Sequence, residues 1–159
     1  MSKNFIIREA NGAADMKIAK SLINEYMDEL GVDLCFQGVD EELATLPGPY
    51  AKPDGIIYFG ILEGATVPTA MIALKKLDDK TCEMKRLYVT PEHRSSGMGE
   101  ALVKQLLISA KDMSYEIMRL DTLARLKPAI ALYQRHGFVE SAAYNDNHLD
   151  GITYFMKEL

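Results

Sequence analysis

Residues 91–101, PEHRSSGMGEA, set an arginine, two serines and two glycines at the start of a helix-like run. The first N–H groups of a helix lack intrahelical partners and point outward together. With the helix dipole they form a site for an anion. Gly97 and Gly99 let a diphosphate approach main chain, and the Arg94 guanidinium adds charge-assisted contacts. The same residues also suit a glycine-rich turn with no ligand. A nucleotide P-loop needs G-x-x-x-x-G-K-S/T, but Glu100 and Ala101 follow Gly99, which rejects it. A dinucleotide fingerprint needs a third glycine and a place near the first strand, and R-S-S-G-M-G has neither.

The elements that must position this loop follow from periodicity. NFIIREA (4–10) is a strand candidate. Ala14, Ile18, Leu22, Tyr26 and Leu30 recur every four residues, which predicts a helix over 12–30 ending at Gly31. A short helix is expected at 38–46, then a loop at 47–55 with three prolines and two glycines. Strands follow at 56–62, 69–77 and 82–89, separated by turn-forming residues that favour antiparallel hairpins. A helix over 98–113, a strand at 116–123 and a helix over 127–137 come next, the last with Pro128 in its first turn. Strands at 138–144 and 151–159 close the chain. The order βααβββαβαββ predicts an α/β (α+β) protein, a mixed, mostly antiparallel sheet flanked by helices, in a single domain over 1–159.

Composition narrows the function classes. A net charge of −5, from 18 basic and 23 acidic residues, gives no support to nucleic-acid or membrane-surface binding. No apolar run has the ~18 residues of a membrane span. The first residues lack a long apolar core and read as mature protein, not a signal peptide. Cys35 and Cys82 form no C-x-x-C pattern, so they suit a reducing, cytoplasmic compartment and read as small buried hydrophobes. His93, His136 and His148 have no ligand spacing, and no metal is expected.

A third anion-binding pattern does fit. Q/R-x-x-G-x-G/A after a strand is the pyrophosphate loop of the GCN5-related N-acetyltransferases, the GNAT superfamily, and RSSGMG resembles it. AIALYQRHGF (129–138) resembles that superfamily's A-x-x-L-Y-x-x-x-G-F segment, and CEMKRLYV its fourth strand. The predicted element order also matches that fold, so the resemblance covers the whole chain. Leu126 departs from it, standing where many relatives carry a cofactor-contacting asparagine.

The resemblance implies acetyl-coenzyme A as cofactor, held by Arg94, Ser95, Ser96, Gly97, Met98, Gly99 and Glu100 at the diphosphate. The pantetheine arm would pair with the main chain of Leu87, Tyr88 and Val89 like an added strand. An acceptor amine must lose a proton, and Glu83 is the candidate base. Glu83 and Lys85 share one strand face by alternation, while Met84 and Arg86 take the other, unless a bulge re-aims them. Glu83 also suits a solvated ion pair with Lys75, Lys76 or Lys85. Tyr133 matches the tyrosine that protonates the leaving thiolate in relatives, and it equally suits helix packing.

Candidates for the acceptor pocket are Arg86, Tyr50, Asp121, Thr122 and the stretch from Tyr144 to His148. Asp121 equally suits a helix cap or a pair with Arg119 or Arg125. The expectation is an N-acetyltransferase acting on a small-molecule or peptide amine. The alternatives are a silent acyl-coenzyme A sensor, or an O-acyl or larger-acyl transferase of the same fold. Pairing into a homodimer is compatible with the sequence and not specified by it.

Overall fold

A computed structural model describes residues 4–31, 38–147 and 149–159. Cys35 and His148 lie outside the described residues. The strands are β1 (Phe5–Glu9), β2 (Ile56–Leu62), β3 (Ala70–Lys76), β4 (Thr81–Val89), β5 (Ile117–Leu123), β6 (Val139–Ser141) and β7 (Ile152–Glu158). The helices are α1 (Gly12–Leu30), α2 (Val39–Thr45), α3 (Met98–Asp112) and α4 (Lys127–Arg135). All seven strands join one sheet in the order β1-β2-β3-β4-β5-β7-β6. Every neighbouring pair is antiparallel except β4 and β5, which run parallel. Among the described residues no helix is long and apolar enough to cross a membrane.

Each face of the sheet buries its own apolar cluster. On one side Leu102 and Leu106 of α3 and Leu132 of α4 pack with Ile72, Leu74, Met84, Met118 and Leu120. On the other, Ala19, Leu22 and Ile23 of α1 pack with Ile57, Phe59, Met71 and Ala73. Full burial of one such aliphatic or aromatic side chain stabilises by about 1.5–3 kcal/mol. The buried stripe of α1 is centred on Ala19, Leu22 and Ile23, so of the four-residue recurrence Leu22 is buried, Ile18 and Tyr26 flank the stripe and Ala14 is exposed; Gly31, at φ 65, closes the helix with its N–H on Met27 O.

Two departures from the sequence reading shape the site. The strand expected over 138–144 pairs only through Val139–Ser141. The other departure lies in β4. Ala73 pairs with Lys85 but Met71 pairs with Tyr88, so Ile72 stands opposite both Arg86 and Leu87. This is a β-bulge, and Arg86 sits in it at φ 59. Simple alternation would put Arg86 beside Met84, which packs in the α3 cluster. Instead Arg86 bonds to Glu42 of α2, on the other side of the sheet.

The proline loop folds tightly against β3. A Cβ on Gly55 would stand 2.4 Å from Leu74 O, 2.7 Å from Tyr50 Cα and 2.8 Å from Pro49 O. All three are main-chain atoms with no rotamer to yield. Gly55→Ala is expected to cost about 1–3 kcal/mol, read as a lower urea midpoint at unchanged slope.

Candidate functional site

β4 and β5 pair only at Thr81↔Ile117, Cys82↔Met118 and Glu83↔Arg119. Beyond Glu83 the strands part. A cleft opens there, lined by Leu87 from β4, Thr122 from β5, and Leu126 and Tyr133 from α4 and its start. On its β5 side the main chain of Leu87, Tyr88 and Val89 has no strand partner among the described residues. Tyr88 turns its side chain away, against Tyr26 of α1 at 5.4 Å between ring centroids.

The N-terminus of α3 follows β4. Gly97 is its N-cap at φ 92, a left-handed conformation that L side chains rarely adopt, and Ser95 precedes it at φ 70. The Met98 N–H goes to Ser96 Oγ at 3.2 Å, and the Ala101 N–H begins the helical ladder on Gly97 O. The Gly99 and Glu100 N–H groups precede that ladder and have no intrahelical acceptor. The Met98 side chain is fully buried, so it offers only main chain here. A Cβ on Gly99 would make ordinary 3.7 Å contacts with Val89 and Leu132, so the fold itself does not require glycine there. Arg94 is already engaged. It donates to Val89 O at 3.0 Å and Glu29 at 2.6 Å, and lies 5.7 Å from the Tyr88 ring centroid. Glu100 stands 3.1 Å from His136 Nε2.

Tyr133 is buried, with its ring edge-on to Phe138 at 6.0 Å. Its hydroxyl has no hydrogen bond among the described residues, and burial pushes its pKa well above the ordinary tyrosine value.

A second cleft lies on the α1 and α2 side of β4, lined by Lys75, Glu83, Lys85, Asp121, Tyr144, Asn145 and Asn147. Lys85, Asp121 and Asn147 border both clefts and join them. Glu83 is 2% exposed. Tyr144 donates its hydroxyl to Glu83 Oε2 at 2.5 Å, while Lys75 and Lys85 Nζ stand 3.6 and 3.8 Å from Oε1. Burial first, then the Glu83 charge and hydrogen bond, push the Tyr144 pKa far up, so it remains a donor. Asp121 takes neither alternative read from the sequence. It accepts from Asn145 Nδ2 at 2.8 Å and Asn147 Nδ2 at 3.3 Å.

Arg86 borders the Tyr133 cleft, but its guanidinium is taken up by Glu42. Its Nε and NH2 donate to Glu42 at 2.9 and 3.0 Å, and the buried Tyr50 hydroxyl donates to the same carboxylate at 2.6 Å. The structure thus gathers Glu83, Asp121 and Tyr144 at one cleft, and Leu87, Thr122 and Tyr133 at the other. It ties Arg86 and Tyr50 into an ion-pair network. The sequence reading gave Lys85 no site role and did not single out Glu42. Lys85 was reachable, since it shares the Glu83 face at i+2. Among the described residues no group of three or more His, Cys, Asp and Glu stands together to hold a metal ion.

The sequence pattern of the Acetyltransferase (GNAT) family matches residues 17–138. An uncharacterized N-acetyltransferase of Schizosaccharomyces pombe is 37% identical over 145 residues, covering 91% of this chain and 89% of the relative. Among solved structures, a GNAT-family acetyltransferase of Staphylococcus aureus superposes with a TM-score of 0.81 at 17% identity, over 98% of this chain and 99% of that one. An acetyltransferase of Salmonella typhimurium solved with acetyl-CoA gives a TM-score of 0.69 at 19% identity, over 97% and 93% of the two chains.

Proposed function

The chain belongs to the GNAT acetyltransferase family and is an acetyl-CoA-dependent acetyltransferase, and from that premise we propose that its joined clefts carry acetyl transfer onto an amine, with Glu83 as base and Tyr133 as acid. The observation that carries this reading is the parting of β4 and β5 beyond Glu83, which leaves a cleft beside the unpaired Leu87 main chain that adjoins the Glu83 cleft. Acetyl-CoA supplies an acetyl thioester open to attack by an amine.

The residues present fit that cofactor. The Gly99 and Glu100 N–H groups take its diphosphate, and Gly99 leaves main chain bare where the fold would tolerate a Cβ. The unpaired main chain of Leu87, Tyr88 and Val89 offers the pantetheine arm a strand edge. On the acceptor side, Glu83 Oε1 takes the proton that the amine loses. Tyr144 holds Oε2 and so fixes the orientation of the carboxylate. Lys75 and Lys85 disfavour an ammonium beside them, which keeps the attacking amine neutral. Tyr133 holds its phenolic proton in the other cleft, for the departing sulfur.

A coenzyme A-release assay across amines, amino acids and peptides tests the reading. Release is expected to require an acceptor. Gly97→Asp is expected to weaken coenzyme A binding at least about tenfold, because a like charge a few ångströms away near a protein surface costs about 4 kcal/mol, and tenfold needs only about 1.4 kcal/mol. Release that ignores the acceptor overturns amine acetylation. Calorimetry showing unchanged affinity in folded Gly97→Asp overturns the diphosphate assignment.

A further inference from the structure

We propose that Lys85 receives a carboxylate of the acceptor, and that the acceptor is therefore a free α-amino acid. The proposal rests on the acetyl-transfer reading above and names its substrate class.

Lys85 leaves β4 on the Glu83 side and borders both clefts. Its side chain is only 14% exposed. Its ammonium is 3.8 Å from Glu83 Oε1, an ion pair too long for a hydrogen bond, and no hydrogen bond engages it among the described residues. A buried ammonium with open donors is costly unless an anion meets it. The nearby carboxylates do not fill that role. Glu83 is shared between Lys75, Lys85 and the Tyr144 hydroxyl. Asp121 is held by Asn145 and Asn147. Burial first, then the nearby Arg86 and Lys75 charges, outweigh these anions and keep the Lys85 pKa below the ordinary lysine value.

The other cations nearby are less suited. Arg86 is locked to Glu42, and Arg119 lies over the Tyr144 ring at 5.5 Å from its centroid. Lys75 is the more exposed lysine, at 31%. The spacing then selects the ligand. In an α-amino acid the amine nitrogen and the nearer carboxylate oxygen are about 3 Å apart by standard bond lengths. That matches the 3.8 Å between Glu83 Oε1 and Lys85 Nζ, with the amine on the first and the carboxylate on the second.

The test compares each of the common α-amino acids with its α-carboxamide, reading kcat/KM by coenzyme A release, with coenzyme A binding followed by calorimetry. The amide amine is the less basic and so more available unprotonated, which biases against the expected result. For the best acceptor, the acid is expected to exceed its amide at least about tenfold. Lys85→Met is expected to bring that ratio to about one, and Lys85→Arg to restore part of it. The ratio is internal to each variant, so a partly unfolded preparation does not distort it. A wild-type ratio at or below one, or the same ratio in Lys85→Met, overturns the carboxylate assignment while acetyl transfer stands. A chain that binds coenzyme A and acetylates other amines but neither the acids nor their amides overturns the amino-acid assignment alone, and one that acetylates no amine at all overturns both readings.

Discussion

Glu83→Gln is expected to cut kcat on an amine acceptor about 10²- to 10⁴-fold, the usual worth of a positioned general base, with coenzyme A affinity unchanged. The exchange is isosteric. The amide oxygen can still accept from Tyr144, so the cleft keeps its shape while losing basicity and charge. The loss is expected to shrink as pH rises, because solvent then supplies the neutral amine that Glu83 otherwise makes. Lys75 and Lys85 lose their shared anion, so some stability goes as well, and rates are compared at equal folded fraction. The competing role for Glu83 is that of a counter-ion only. In that case KM rises and the melting temperature drops, while kcat stays within about threefold and its pH profile keeps its shape. That pattern would sink the base assignment.

What the sequence made legible was whatever depends on neighbours in the chain. α1 spans Gly12–Leu30, the range read from its four-residue recurrence, and β2 spans Ile56–Leu62, the range read between turn-forming stretches, because both signals lie within or beside the element itself. Gly97 announced its left-handed turn by residue type, whereas Ser95 adopts the same conformation with no such signal. The misses all come from contacts distant in sequence. β6 stops at Ser141 because the chain then leaves the sheet to bring Tyr144 to Glu83, 61 residues away, and Asn145 to Asp121. Local alternation in 138–144 cannot register that pull. Arg86 changed sides because of a bulge, and its partner Glu42 lies 44 residues upstream. Alternation places a side chain only while the register holds. The loop motif therefore pointed to the proposed cofactor end of the site, while the proposed acceptor end took shape only when the sheet brought remote residues together.

The same bulge sets up the largest expected stability effect. Arg86 is 7% exposed and the Glu42 side chain 11%, so the pair is desolvated and doubly hydrogen-bonded. Burial pushes the Glu42 carboxyl up, but Arg86 and Tyr50 outweigh it and hold the pKa below the ordinary carboxylate value. Arg86→Met leaves that carboxylate buried with only the Tyr50 hydroxyl, and is expected to cost about 3–5 kcal/mol at pH 7. The sign with pH follows from linkage. In the wild type, the stability contributed by the depressed Glu42 is fully present above its unfolded value of 4.5 and is lost as pH falls through the lower folded value. In Arg86→Met burial, the largest influence on Glu42, is opposed only by the Tyr50 hydroxyl and the Lys85 charge, so its folded pKa rises above the unfolded value and acidification relieves the variant. The gap between the two proteins is therefore expected to narrow from pH 7 toward pH 4 in urea titrations. Glu42→Gln with Arg86→Met removes both charges, and the double variant is expected to be about 1–3 kcal/mol more stable than the sum of the single losses predicts. A single-variant cost below about 1 kcal/mol, as for an exposed pair, or a gap that ignores pH, would show that the Arg86–Glu42 contact does not anchor α2 against the β4 bulge.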